Sequence, residues 1–190
     1  MQGELKKARS ALLSGIADES AFELVFTSCG TESDNQAIFC AGKRGNVVTT
    51  QGEHSAIFES CKQLKSRGVE PRFAPLRRDG SVDVEALISM VDEKTSLVSV
   101  IHVSNETGAI NDIAEIARRV KEKNARTVFH SDGVQGYGKI PVRLSKEIDL
   151  YSVSAHKIGA LKGTGALIRR KSYTALTPFL YGGGQENGMR

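Results

Sequence analysis

Apolar positions along the chain switch repeatedly between two periods. Val84, Leu87, Ile88 and Val91 recur at helical spacing, and so do Ile113, Ile116, Ala117 and Val120 behind the capping residue Asp112. Between these two helices, residues 97–103 (LVSVIHV) are apolar almost throughout, which predicts a strand buried on both faces. Shorter strands are predicted at 23–28, 47–50, 127–130, 150–153 and 165–168, with a brief extended piece at 72–75. Further helices are predicted at 4–15, from a capping box of Thr31 and Asp34 through Ala37, Ile38 and Ala41, and at 55–67 with Phe58, Cys61 and Leu64 on one face. Gly68 stops the last of these, Asp79-Gly80 is a turn, and the glycine-rich tail at 182–190 reads as loop. Strands alternating with helices predict an α/β fold, a three-layer α/β/α sandwich around a mainly parallel sheet.

Two strand ends carry ionisable residues. One apolar run ends in His130-Ser131-Asp132-Gly133-Val134-Gln135 and the next in Ser154-Ala155-His156-Lys157. Ligands of open parallel sheets sit at the carboxyl ends of the strands, so Asp132 and Lys157 are expected to face one crevice. A lysine and a carboxylate converging there suit pyridoxal phosphate (PLP): the amine forms a Schiff base and the carboxylate keeps the ring nitrogen protonated. The turn Cys29-Gly30-Thr31 leads from a strand into a helix, an arrangement that offers backbone N–H groups to an anion. Taken singly, each of these is also an ordinary feature: a solvated lysine, a turn aspartate, a capped helix.

Composition narrows the alternatives. With 190 residues, one domain is the natural count, and the 39% apolar and 25% charged fractions are those of a soluble globular protein. A net charge of +4 with no basic block along a helix reads as solvated surface, so no nucleic-acid partner is expected. No run has the length of a membrane span and the first residues lack an apolar stretch, so neither a membrane partner nor a secretory signal is expected. Cys29, Cys40 and Cys61 are odd in number and lack metal-ligand spacing, which predicts reduced thiols, no metal and a cytoplasmic location. A dinucleotide-binding domain is disfavoured, because no G-x-G-x-x-G follows the first strand.

In order, the chain carries Gly30-Thr31-Glu32-Ser33-Asp34-Asn35, Glu53-His54, Ser104-Asn105-Glu106-Thr107-Gly108, the Asp132 and Lys157 motifs, and Gly182-Gly183-Gly184-Gln185-Glu186. From about residue 23 onward this resembles the cysteine desulfurases, NifS-like members of the class V aminotransferases. The resemblance implies a homodimeric PLP enzyme that takes sulfur from L-cysteine as a persulfide, leaves alanine, and hands the sulfur to an acceptor protein. It implies catalytic roles for Lys157 and His54, the imidazole stacking on the ring. It implies that Asp132 pairs with the ring nitrogen, that Gln135 and Asn105 bond near the phenolic oxygen, and that Gly30, Thr31, Ser154 and His156 hold the phosphate.

Two positions depart from the pattern. Ala160-Leu161 stands where the family has Gly-Pro, and Cys29 where it often has glycine or alanine. The resemblance also implies that residues 1–190 are the PLP-binding large domain only. On that reading an N-terminal segment, a small domain, the catalytic cysteine loop and a carboxylate-binding arginine lie outside it, and the chain alone is inactive. A PLP lyase or transaminase for another amino acid or for selenocysteine, or a non-catalytic PLP- or partner-binding module, fits the same residues.

Overall fold

The computed structural model describes residues 2–190, so Met1 lies outside the described residues. The chain order is α1 (Gln2–Ser14), β1 (Phe22–Thr27), α2 (Gly30–Ala41), β2 (Asn46–Thr50), α3 (Ser55–Leu64), β3 (Glu70–Ala74), α4 (Val84–Ser89), β4 (Thr95–Ser99), α5 (Ile113–Lys123), β5 (Val128–Asp132), β6 (Leu150–Ser154), β7 (Gly165–Arg170) and α6 (Gln185–Gly188). One sheet holds all seven strands in the order β1-β7-β6-β5-β4-β2-β3. β2, β3, β4, β5 and β6 pair in parallel, and β7 runs antiparallel to both β6 and β1.

The strands are apolar on both sides because both sides are covered. Along β2, β4 and β6, Val48, Val98 and Tyr151 pack with α1, α4 and α5, whereas Val47, Leu97 and Leu150 face the side of α2 and α3. Successive side chains of a strand point to opposite faces, so a continuous apolar run is what a helix layer on each face requires. The result is the α/β/α sandwich that the pattern predicts.

Several local expectations change. Regular pairing of β4 stops at Ser99, although Val100 N–H still donates to His130 O at 3.1 Å and His102 N–H to Asp132 O at 2.9 Å. Thr31 and Asp34 do not form a capping box. The helix begins at Gly30 behind Cys29, whose side chain makes no cap, and Glu32 reaches back instead to accept the Ser28 N–H at 2.8 Å. On α3, Ile57, Cys61 and Leu64 form the buried face and Phe58 is only half-buried. The tail contains a short helical turn, pinned where Arg9 donates to both Glu186 carboxylate oxygens at 2.6 Å. Among the described residues, no helix is long and apolar enough to cross a membrane.

Candidate active site

Since β7 alone runs the other way, β1, β2, β4, β5 and β6 all end on one edge of the sheet. A cavity of about 240 Å³ opens there. That lies slightly below the usual range of roughly 300–1,000 Å³ for ligand pockets, enough for a small ring with a phosphate and too little for a dinucleotide. All nine residues expected at the site line it: Gly30, Thr31, His54, Asn105, Asp132, Gln135, Ser154, His156 and Lys157.

Each comes from a strand end or the turn after it. Asp132 closes β5, is buried, and accepts the Val134 N–H at 2.9 Å. Burial raises its pKa, while the Val134 N–H and the nearby His54 ring work against that rise. His54 caps α3, its Nδ1 accepting the Ala56 N–H at 3.2 Å, which leaves Nε2 as its other ring nitrogen. The capping role and the cavity position are therefore compatible. Gly30 opens α2 so close to the floor that an added Cβ would meet Val134 Cγ2 at 2.8 Å and Ser154 Cβ at 3.3 Å. Facing this helix N-terminus, Ser154 Oγ and His156 Nδ1 share a hydrogen bond of 2.9 Å. Gln135 Oε1 accepts from Lys139 Nζ, and Asn105 is exposed at the rim.

Lys157 follows β6 on a single 3-10 turn, Ala155–Ile158, and is exposed. It stands in solvent at the cavity mouth, because the residues after it turn away at Gly159 and the rest of that loop, 160–164, is itself exposed.

The cavity also holds residues to which the sequence assigned no role at the site. Asp34 lines it, 1% exposed, with no hydrogen-bond partner for Oδ1 among the described residues. The signal was its spacing from Gly30: positions i and i+4 share one helix face. Behind His54, the Glu53 carboxyl accepts from Thr50 Oγ1 at 2.7 Å and from the Ile101 N–H at 2.9 Å. Its Oε2 is buried without a partner among the described residues, and burial pushes its pKa up to about 8. His130, fully buried beneath the site, is pushed down to about 3 by that burial and is therefore a neutral imidazole. Cys29 lines the same cavity, whereas Cys40 and Cys61 are buried elsewhere.

The model of the family described as aminotransferase class-V matches residues 2–189. The chain belongs to that family. Its relatives include proteins named cysteine desulfurase IscS, among them those of Rickettsia bellii (strain OSU 85-389) and Rickettsia prowazekii (strain Madrid E), each 39% identical over 196 residues. Each match takes in 100% of this chain and 47% of the relative, so the chain spans about half the length of the curated relatives it matches. Among solved structures, a NifS-like protein aligns with a TM-score of 0.91 at 36% identity, over 100% of this chain and 53% of that one. A structure described as SspA in complex with cysteine aligns at 0.79 and 30% identity, over 88% and 50%. The NifS-like resemblance and the mostly parallel α/β fold thus both hold for this class-V chain.

Proposed function

We propose that this class-V chain is the PLP-binding large domain of a cysteine desulfurase. The observation that carries the proposal is the convergence of Asp132, His54 and Lys157 with the Gly30–Thr31 helix start in one small cavity. The residues present fit the cofactor. A buried carboxylate suits a ring N–H, a helix N-terminus with a serine and a histidine suits a phosphate, and an exposed amine suits an aldehyde. PLP, when bound, supplies an electron sink for negative charge at the α-carbon of an amino acid.

The protein's residues do the rest. Asp132 holds the proton on the ring nitrogen, so that the sink stays effective. His54 covers one ring face with an imidazole already anchored through Nδ1. Gln135 and Asn105 direct hydrogen bonds toward the phenolic oxygen. The Gly30 and Thr31 amides, with Ser154 and His156, hold the phosphate, and Lys157 supplies the amine for the aldehyde carbon and moves the α-proton. In the whole protein, L-cysteine is the substrate, sulfur leaves to a thiolate and then to an acceptor protein, and two copies form a cytoplasmic homodimer. The family membership and the names of the relatives support the desulfurase activity on cysteine; the acceptor, the homodimer and the location come from the resemblance alone.

The test is a titration of the chain with PLP, followed by visible absorption, borohydride reduction and peptide mapping. A single reduced adduct at Lys157, lost in Lys157→Ala, is the expected result. Adducts scattered over surface lysines, or an unchanged spectrum in Lys157→Ala, would overturn the assignment.

A further inference from the structure

We propose that Asp34 is a positioning residue of this site: it stays a carboxylic acid while Asp132 stays ionised, so that a single negative charge faces the cofactor's ring nitrogen. The proposal rests on the PLP assignment above and adds a residue to it. Asp34 points from α2 into the cavity floor, and a carboxylate oxygen of Asp34, one of Asp132 and a ring nitrogen of His54 all lie within 4.8 Å of one another. Two carboxyls that close, both almost wholly buried, do not ionise together; one retains a proton.

The surroundings decide which one. Asp132 accepts a backbone N–H at 2.9 Å, a bond that favours its anion. Among the described residues Asp34 accepts no backbone N–H, and its Oδ1 lies 3.8 Å from His130 Nε2, beyond hydrogen-bonding distance. The titratable groups facing it are Asp132 and His130 from β5, Glu53 and His54 from the segment between β2 and α3, and Cys29 just before α2. Lys157 sits at the mouth of the same cavity. His130 offers no charge. Its two nitrogens are bonded to the Ser99 and Ser152 hydroxyls at 2.9 Å, and burial keeps it neutral. Burial first, then the Asp132 charge, hold Asp34 well above the ordinary carboxyl range, and only the Ser152 hydroxyl works against them. A protonated Asp34 turns a second buried charge into a neutral group, leaving Asp132 as the anion that a ring cation meets.

The experiment is infrared difference spectroscopy of the 190-residue chain labelled with carboxyl-¹³C aspartate, with and without PLP, across neutral pH. Labelling aspartate keeps the Glu53 band apart. Wild type is expected to show one protonated-aspartate carbonyl band at neutral pH in both forms, and Asp34→Asn is expected to lack it. A band that persists in Asp34→Asn would put the proton on Asp132, and absence of the band in wild type would show both ionised; either overturns the proposal. As a second readout, Asp34→Asn, a neutral isostere, should keep the PLP Kd within about threefold, and Asp34→Leu, confirmed folded by circular dichroism, should raise it about tenfold or more. Equal affinity in Asp34→Leu would also overturn the positioning role. Failure of the PLP assignment itself would look different: Asp132→Asn and Lys157→Ala would bind PLP as wild type does, while the infrared spectrum of the cofactor-free chain would still locate the proton.

Discussion

Gly133→Ala isolates the contact that holds the Asp132 loop in place. A Cβ at position 133 would sit 1.9 Å from Tyr151 Cζ and 2.3 Å from its hydroxyl oxygen. Carbon atoms in contact want about 3.5 Å, so the gap must open by 3.5 minus 1.9, or about 1.6 Å. Tyr151 cannot retreat. It is fully buried in β6, hydrogen-bonded between β5 and β7, and its hydroxyl is 2.9 Å from His102 Nδ1. The loop must lift instead, straining the Gly133 N–H bond to Ser152 O at 2.9 Å and the Val134 N–H bond to Asp132. Overpacking of a rigid core costs about 1–3 kcal/mol, and a clash this deep belongs at the upper end. At about 2–4 °C per kcal/mol for a chain of this size, the melting temperature should fall by roughly 6–12 °C. PLP affinity should fall by tenfold or more, because a displaced Asp132 loses a hydrogen bond to a charged group worth about 1.5–3 kcal/mol, and 1.4 kcal/mol is about tenfold in Kd. Urea unfolding and a PLP absorbance titration read both effects. In a Tyr151→Leu background the added methyl should cost less than about 1 kcal/mol, a coupling that only direct contact produces. Stability within about 0.5 kcal/mol of wild type, with PLP binding unchanged, would refute the steric account.

Three further outcomes follow from the buried polar groups. Glu53 has its folded pKa raised from 4.5 to about 8, so between those values the native chain keeps a proton that the unfolded chain releases; stability should fall as pH rises through that window, with the full cost present above it. Glu53→Gln should flatten the profile in a set of urea melts, and an unchanged slope would show that Glu53 is not the group responsible. Asp149, 1% exposed, accepts from Lys121 Nζ at 2.5 Å, from Arg170 and from the Phe129 N–H at 2.8 Å, so Asp149→Ala should cost about 3–5 kcal/mol in the same assay; a loss below 1 kcal/mol would sink that estimate. The 190-residue chain with PLP should release sulfide from L-cysteine at close to the rate of free PLP, since Cys40 and Cys61 are buried, the latter with its pKa pushed up to about 12, and an unpositioned nucleophile forfeits roughly 7–11 kcal/mol of proximity. Steady turnover with a persulfide on Cys29 would show that a thiol of this cavity is the nucleophile.

The fold was legible where burial on both faces imposes it. The apolar runs of β4 and β6 and the helical stripes of α4 and α5 each mark a surface that has to be covered. Strand ends were less legible, because apolar pattern records burial and not pairing: Val100 and Ile101 are buried beyond the last paired residue of β4. The Thr31–Asp34 spacing was misassigned for a related reason. A motif gives distances along the chain without fixing where the helix starts, and a start at Gly30 moves Asp34 past the first turn and into the cavity. Glu53, part of the Glu53-His54 motif, got no role of its own because that role depends on Thr50 and on Ile101, one of them 48 positions away in the chain. The motif before Lys157 predicted which strand end it follows, but whether anything covers the amine depends on the loop after it.

Convergence at one edge also requires that the strands not slip. In parallel neighbours a shift of one residue turns every side chain to the other face. Asp132 stands opposite Ser152, and Ser152 and Ser154 share a face, so a slip of β6 would carry Ser154 and the following His156 and Lys157 out of the cavity. His130 guards against this. Its Nδ1 is bonded to Ser99 Oγ on β4 and its Nε2 to Ser152 Oγ on β6, both at 2.9 Å. One buried imidazole thus ties three strands in a single register, two residues below Asp132. Either slip would leave a buried ring nitrogen and a buried hydroxyl without partners, a cost of about 1–3 kcal/mol for each orphaned group. The neutrality of His130 belongs to the same device. A charged imidazole would donate from both nitrogens and add a cation beneath the carboxyls of Asp34 and Asp132. Held neutral by burial, it fixes geometry and leaves the charge balance of the cavity to the carboxyls above it.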